Sequence, residues 1–306
     1  MKKISIVVSV YNEEEVINKF YTELKKQAND FIWDYEVIFV NDGSEDRSRV
    51  ILQELVTDKK VKVINFSRNF GHEAAMIAGI DNASGDGIVC MDADLQHPLE
   101  YILPIIQKFE DGYEVINMVR LSNKSAGAIK NITSKAFYKV INKLSNKAKF
   151  QENASDFFAI SARVAEVLKN NYREKCRFLR GYVQSVGFKS TTIEYNAAER
   201  AGGKSHYNIK TLLKFSVNTI VSFSDFPLKL GGYAGGISAI VGVLILLYTI
   251  LVKHMSPSGY MTIIILVLFL FAVLFWIIGV IGQYLTVLFA EIKDRPIYII
   301  DQKINF

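Results

Sequence analysis

Asp92-Ala93-Asp94 sets two carboxylates two residues apart at the end of an apolar run, Ile88–Met91. Like charges that close repel unless a cation joins them, and Mg²⁺ or Mn²⁺ shared with a diphosphate suits such a pair. Gln96-His97-Pro98 follows, with Pro98 at the start of the next predicted helix. Asn41-Asp42-Gly43-Ser44 has the composition of a turn, and a carboxylate there can accept from a nucleobase N–H. Further on, Glu199-Arg200-Ala201-Gly202-Gly203-Lys204-Ser205-His206-Tyr207 is a basic, glycine-containing loop. It is not a phosphate-binding P-loop, because the first glycine is missing at the required distance. His72, in Asn69-Phe70-Gly71-His72-Glu73, opens a helix and either faces a ligand or is structural. His97 and His206 have no second histidine at ligand spacing. Cys90 reads as core, and Cys90 with Cys176 makes neither a disulfide framework nor a zinc cluster.

These residues need elements to hold them. Ile4–Val10, Tyr35–Val40, Val61–Phe66, Gly87–Met91 and Glu114–Val119 are short β-branched runs. Between them Glu13–Ala28, Arg47–Val56, His72–Ala83 and Pro98–Glu110 carry apolar residues at helical spacing. Near-continuous apolar strands separated by helices predict a mainly parallel sheet covered on both faces, an α/β, Rossmann-like domain. Ligands of such sheets bind at the carboxyl ends of the strands. Tyr11-Asn12-Glu13, Asn41–Ser44, Ser67-Arg68-Asn69 and Asp92-Ala93-Asp94 all follow strands. Residues 121–150 open as a Lys-, Ser- and Asn-rich loop, with a helical pattern from about Ile129. Residues 156–195 read as two short helices and a strand, Lys189–Tyr195.

The 306 residues are half apolar and 22% charged, which excludes a disordered chain. The net charge of +5 is not gathered into a basic stripe with interleaved aromatics, so nucleic acid is not an expected partner. Lys2 and Lys3 precede an apolar run too short for a secretory signal, and no small-residue cleavage site follows. Asn208–Ser224 places Ile209, Leu212, Leu213, Val217, Ile220 and Phe223 on one face, as an interfacial helix would. Gly231–Val252 and Thr262–Ala290 carry no charge, and each exceeds the length a bilayer's hydrocarbon core requires. Their short link, with Pro257 and Gly259, predicts a transmembrane hairpin. Lys293, Arg295 and Lys303 in the tail put both termini and the α/β domain on the cytoplasmic side of the cell membrane. Gly231-Gly232 and Gly235-Gly236 permit close helix packing within the hairpin or between protomers. The expected units are therefore residues 1–207, a juxtamembrane stretch 208–230, spans within 231–290, and a tail 291–306.

Val7-Val8-Ser9-Val10-Tyr11-Asn12-Glu13-Glu14, Asn41-Asp42-Gly43-Ser44 and Asp92-Ala93-Asp94-Leu95-Gln96-His97-Pro98 resemble family 2 glycosyltransferases of the GT-A fold. The two C-terminal spans and the Arg200…Gly203…Ser205…Tyr207 loop resemble the polyprenyl-phosphate group, which includes dolichyl-phosphate mannose synthase and bactoprenol glucosyltransferases. That resemblance implies a nucleotide-sugar donor, UDP-glucose or UDP-N-acetylglucosamine, and an undecaprenyl or other polyprenyl phosphate acceptor. It implies that Val10, Tyr11 and Glu13 line the nucleotide pocket, that Asp42 holds the base, and that Asp92 and Ala93 lie near the nucleotide. Asp94, with Asp92 and Gln96, would hold Mg²⁺ or Mn²⁺. Asp156 matches an acceptor-side acid, while Arg120, Arg200, Lys204 and Ser205 would face the lipid phosphate or the diphosphate. Asp94, Asp156 and Arg200 are the expected catalytic set. The family also implies a homo-oligomer, a tetramer. Family members often have Pro where Ser9 stands and Asp where Asn41 stands.

The chemistry follows. A lipid monophosphate has a second pKa near about 6 and is largely ionised at neutral pH. It needs positioning and charge compensation more than a strong base. Asp156 then orients a group or removes a proton, with orientation the favoured role. Direct displacement inverts the anomeric carbon. A processive polysaccharide synthase would carry Gln-x-x-Arg-Trp, and neither Trp33 nor Trp276 follows an Arg. A catalytically silent membrane scaffold or flippase partner is the reading from another class.

Overall fold

The computed structural model describes residues 2–121, 142, 151, 154–175, 177–198, 226–252 and 259–306. Strands β1 (Lys3–Val10), β2 (Asp34–Asn41), β3 (Val61–Phe66) and β4 (Gly87–Asp92) form the parallel centre of one sheet. They alternate with helices α1 (Ile17–Ala28), α2 (Ser48–Leu55) and α3 (His72–Asn82). A short 3₁₀ turn, Leu99–Tyr101, leads into α4 (Ile102–Glu110), followed by β5 (Val115–Arg120). Then come β6 (Ala154–Ser161), α5 (Ala162–Asn171), α6 (Leu179–Ser185) and β7 (Ser190–Tyr195). Helices α7 (Phe226–Val252) and α8 (Gly259–Ile292) precede a last strand, β8 (Ile300–Ile304). The sheet order is β7-β5-β6-β4-β1-β2-β3-β8. β6 runs antiparallel to both β4 and β5, and β8 runs antiparallel to β3.

The period of two in the strands decides which helix meets which face. Ile4, Ile6, Val8 and Val10 of β1 pack in one core with Phe20 and Leu24 of α1, Leu52 of α2 and Ile105 of α4. Val7, on the opposite face, packs in a second core with α3 and with Val164, Leu168 and Leu179 of α5 and α6. The strands are apolar on both faces because both faces are covered. Helix α3 is buried from Ala74 through Ile80 and is built largely of small residues. A Cβ on Gly79 would stand 2.1 Å from Val7 Cγ1, so glycine is what lets α3 lie close on β1.

Several boundaries move. Glu13–Val16 belongs to a turn, not to α1, with Val16 and Ile17 N–H donating to Glu13 O. Ala154–Ser161 is a central strand, which brings Asp156 to the sheet itself. The tail enters the sheet as β8.

Helices α7 and α8 are 27 and 34 residues long. Within α8, Phe269–Ile292 has a mean hydropathy of 2.1 and is unburied. Among the described residues it is the segment long and apolar enough to cross a membrane by length and composition. The apolar stretch of α7, Leu228–Leu244, is shorter. A Cβ on Gly231 would meet Ile277 of α8 at 3.4 Å, whereas one on Gly235 or Gly236 would meet nothing within 4 Å. The expected loop from residue 122, the basic loop with Arg200, Lys204 and Ser205, the amphipathic stretch 208–224 and the link 253–258 lie outside the described residues, as does Cys176.

Candidate active site

The carboxyl ends of β1, β2 and β4, with the start of β6, bring the acids together. β1 stops at Val10, and Asn12 turns the chain in the left-handed region at φ 54°. Its N–H donates to Ser44 Oγ (3.0 Å), and its side-chain carbonyl accepts from Glu45 N (2.9 Å). Tyr11 and Glu13 are half-buried on this turn, with Glu13 N–H donating to Ser48 Oγ. Val10 and Ala93 are both 1% exposed and pack in the core, so the cleft meets their backbone rather than their side chains.

Asp42 is buried at the end of β2, and its two oxygens accept from Phe70 N (2.6 Å) and Gly71 N (2.9 Å). Burial raises its pKa above the usual carboxylate value against the pull of those two N–H groups. A Cβ on Gly43, at φ 66°, would fall 2.4 Å from the Arg68 carbonyl carbon. Only glycine lets the two turns press together around Asp42. Asn41 Nδ2 donates to Asn65 Oδ1, and its own carbonyl accepts from Ser44 N.

Asp92 ends β4. Ser9 Oγ donates to Asp92 Oδ1 at 3.0 Å. That uses the one hydroxyl proton, so His72 Nδ1 is the donor in its 2.9 Å contact with Ser9 Oγ. His72 Nδ1 is 3.5 Å from Asp92, and its Nε2 is 3.9 Å from Asp156 Oδ2. Burial opposes a charge on His72, but Asp92, Asp156 and Glu73 outweigh it and hold its pKa above the ordinary imidazole value. His97 is the opposite case. Asp92 N–H donates to its Nδ1 at 3.0 Å, which makes that nitrogen an acceptor. Burial drives its pKa down, and its ring stacks on Phe157 at 5.1 Å. One histidine thus stands between two acids that favour its charged form, and the other holds the strand end as a hydrogen-bond acceptor.

Asp94 is 4% exposed and accepts from Gln96 N–H at 3.0 Å. Between them Leu95 sits at φ 60°, a costly conformation for a branched residue and one that marks functional turns. Asp156 Oδ1 stands 3.6 Å from Arg180 Nε, and Arg180 NH1 donates to Ala154 O. Burial would raise the Asp156 pKa, yet Arg180, His72 and Arg120 hold it below the usual value. Arg120, at the end of β5, is therefore near enough to act on the same acids.

Asp92, Asp94, Asp156 and Arg120, expected from sequence, meet at this edge; Arg200, Lys204 and Ser205 lie outside the described residues. Among the described residues no three His, Cys, Asp or Glu side chains form a complete metal site. The donor set is hard oxygen: two aspartates and the amide of Gln96. It fits Mg²⁺ or Mn²⁺ shared with a diphosphate, where protein supplies one or two carboxylates. The sequence leaves His72 open between two roles and does not distinguish Arg180. His72 carries a readable signal, since it opens a helix just after a strand end; Arg180 lies in α6 with none.

Residues 5–170 match the family described as Glycosyl transferase family 2. The chain belongs to glycosyltransferase family 2. It is 42% identical over 302 residues to the uncharacterized glycosyltransferase YkcC of Bacillus subtilis, covering 97% of this chain and 93% of the relative. It is 37% identical over 303 residues to the SfII prophage-derived bactoprenol glucosyl transferase of Shigella flexneri, covering 97% of each. A prophage bactoprenol glucosyl transferase homolog of Escherichia coli is 38% identical, with 97% of this chain and 98% of that one covered. Among solved structures, glucosyl-3-phosphoglycerate synthase of Mycobacterium tuberculosis with uridine diphosphate superposes with a TM-score of 0.50 at 16% identity. The match covers 72% of this chain and 79% of that one, and it supports the GT-A α/β fold of a family 2 member.

Proposed function

We propose that this family 2 member transfers one sugar from a nucleotide-sugar to a polyprenyl phosphate, undecaprenyl phosphate in a bacterium, inverting the anomeric carbon. Glucose from UDP-glucose heads the donors, followed by N-acetylglucosamine. The observation that carries this reading is the likeness to bactoprenol glucosyl transferases over 97% of the chain, soluble domain and apolar helices together. The product would donate the sugar in cell-envelope glycosylation.

In this reading the Tyr11–Glu13 turn and the backbone of Val10 and Ala93 line the nucleotide pocket. Each Asp42 oxygen, having accepted one backbone N–H, has a second lone pair for a base N–H. Asp94, with Asp92 and Gln96, would hold Mg²⁺ or Mn²⁺, which when bound stabilises charge on the leaving diphosphate. Asp94 would be the principal ligand, as the family resemblance implies, while Ser9 and His72 engage Asp92. Arg120, Arg200, Lys204 and Ser205 hold the lipid phosphate and offset repulsion between two anionic substrates. Asp156 orients rather than deprotonates. Its lowered pKa makes it a weak base, and the ionised phosphate has little proton to give up. Helices α7 and α8 form the two-span hairpin, with the domain and both termini cytoplasmic, and four copies assemble.

The test supplies membranes carrying the protein with undecaprenyl phosphate, Mg²⁺ or Mn²⁺ and a panel of labelled nucleotide-sugars, with Asp94→Ala alongside. Label enters the organic phase with one donor and not with the variant. No transfer from any donor by folded protein would sink the synthase reading in favour of the scaffold.

A further inference from the structure

Arg173, Lys175, Arg177 and Leu179, on the way from α5 into α6, touch separate parts of the molecule. Arg173 NH1 binds both oxygens of Asp81 at 3.0 Å, and Tyr298 OH donates to the same carboxylate at 2.6 Å. At the end of α8, Lys175 N–H donates to Glu291 Oε1 at 2.7 Å, and Lys175 Nζ reaches Asp294 at 3.3 Å. Arg177 then bridges two carbonyls: NH1 donates to Ile297 O and NH2 to Phe70 O, each at 3.2 Å. Leu179 N–H donates to Glu73, next to His72.

Phe70 is the residue whose N–H, with that of Gly71, holds Asp42. The positive field of Arg177 also acts on Asp42. On the far side, Ile297 belongs to the return from α8 into the sheet. Tyr298 stacks on Phe66 at 5.2 Å and 9°, and Phe66 packs edge-on against Phe70 at 5.7 Å. Ser67 N–H donates to Ile299 O. The segment leaving the apolar helix and the turn around Asp42 are therefore tied twice, through Arg177 and through the Tyr298–Phe66–Phe70 rings.

We propose that Arg177 is a positioning residue for the donor nucleotide, and that it couples the chain leaving α8 to the Phe70–Gly71 turn that sets Asp42. A guanidinium suits this because its fixed fork reaches two carbonyls at once, which a lysine cannot do in one geometry. The proposal rests on the reading that Asp42 meets the base.

The experiment measures UDP affinity by titration calorimetry on the full-length, detergent-solubilised protein, with GDP as comparison, and the donor KM and kcat in membranes. Arg177→Ala raises the UDP dissociation constant and donor KM by about tenfold, the loss expected when a turn is no longer held. kcat and the KM for polyprenyl phosphate stay within about twofold, and Arg177→Lys recovers part of the loss. Tyr298→Ala, cutting the tie from the tail side, moves the same two quantities in the same direction and carries the test if Arg177→Ala does not fold. Unchanged UDP affinity in folded Arg177 and Tyr298 variants overturns the proposal, as does a loss of kcat with KM intact. Asp42→Asn separates the two readings. If it leaves UDP binding unchanged, the base-site reading fails; if it weakens binding while the Arg177 and Tyr298 variants do not, the coupling alone fails.

Discussion

The two ends of the central strands handle buried carboxylates in opposite ways. At the amino end, Glu36 of β2 is 2% exposed and fully compensated. Lys3 and Lys62 each sit 2.8 Å from its Oε2, Ser5 Oγ donates at 2.6 Å, and Ser84 donates through both N–H and Oγ at 2.9 Å. Burial would raise its pKa, but these partners bring it down to about 2. At the carboxyl end, Asp92 and Asp156 flank His72, Arg180 and Arg120 act on Asp156, Ser9 donates to Asp92, and Asp42 and Asp94 accept from backbone N–H groups. Acids outnumber permanent cations there among the described residues. A closed set of partners makes a carboxylate a fold determinant. A cluster with surplus negative charge is shaped to be completed by what binds it.

The largest expected difference between the ends lies in activity. Asp94→Asn keeps the size and one acceptor of the side chain, so the turn to Gln96 survives, while transfer falls by at least about a hundredfold. Glu36→Gln leaves turnover of folded protein within about twofold of the parent. Assaying both variants under saturating donor, beside their melting curves, checks the contrast. An Asp94→Asn enzyme with near-normal turnover would remove Asp94 from the chemistry.

Much of this contrast was legible in the residues. The strand–helix alternation from Ile4 to Glu110 shows through because both sheet faces are apolar and each helix has one stripe. The strand-end rule drew Asp42, Asp92 and Asp94 to one edge for the same reason. What stayed hidden depends on contacts distant in the chain. β8 pairs with β3 across more than two hundred positions, and Ile300–Ile304 alternates too weakly to announce a strand. Arg177 and Arg180 lie where no local pattern distinguishes a bridging arginine from a solvated one. In the sequence Ser9 is a departure from the family pattern, and only the geometry ties it to Asp92 and His72.

The amino end should answer in stability. Glu36→Gln strands Lys3 and Lys62 beside a neutral amide and lowers stability by about 2 kcal/mol, less than for a fully buried pair because both lysines keep some water. The pH dependence has a defined sign. The folded pKa of Glu36 is depressed to about 2 from the ordinary glutamate value of 4.5. Its contribution is present in full above the unfolded value and is lost as pH falls from 4.5 toward 2. Urea midpoints of parent and Glu36→Gln should therefore converge through that window, and a constant gap down to the folded pKa would deny the ion-pair account.

Ser9→Ala probes the smallest effect at the carboxyl end. The hydroxyl donates to Asp92 and accepts from His72, so its loss leaves both groups in place at 3.5 Å without an intermediary. A hydrogen bond to a charged partner in a partly wet cleft contributes about 1 kcal/mol, which corresponds to roughly a fivefold fall in kcat/KM for the donor. Because His72 remains between Asp92 and Asp156, the acids stay bridged and stability should barely change. A fall beyond about a hundredfold would mean that Ser9, not Asp94, governs the charge of the cluster, and the division drawn between the two ends of the sheet would then have to include a hydroxyl among its deciding groups.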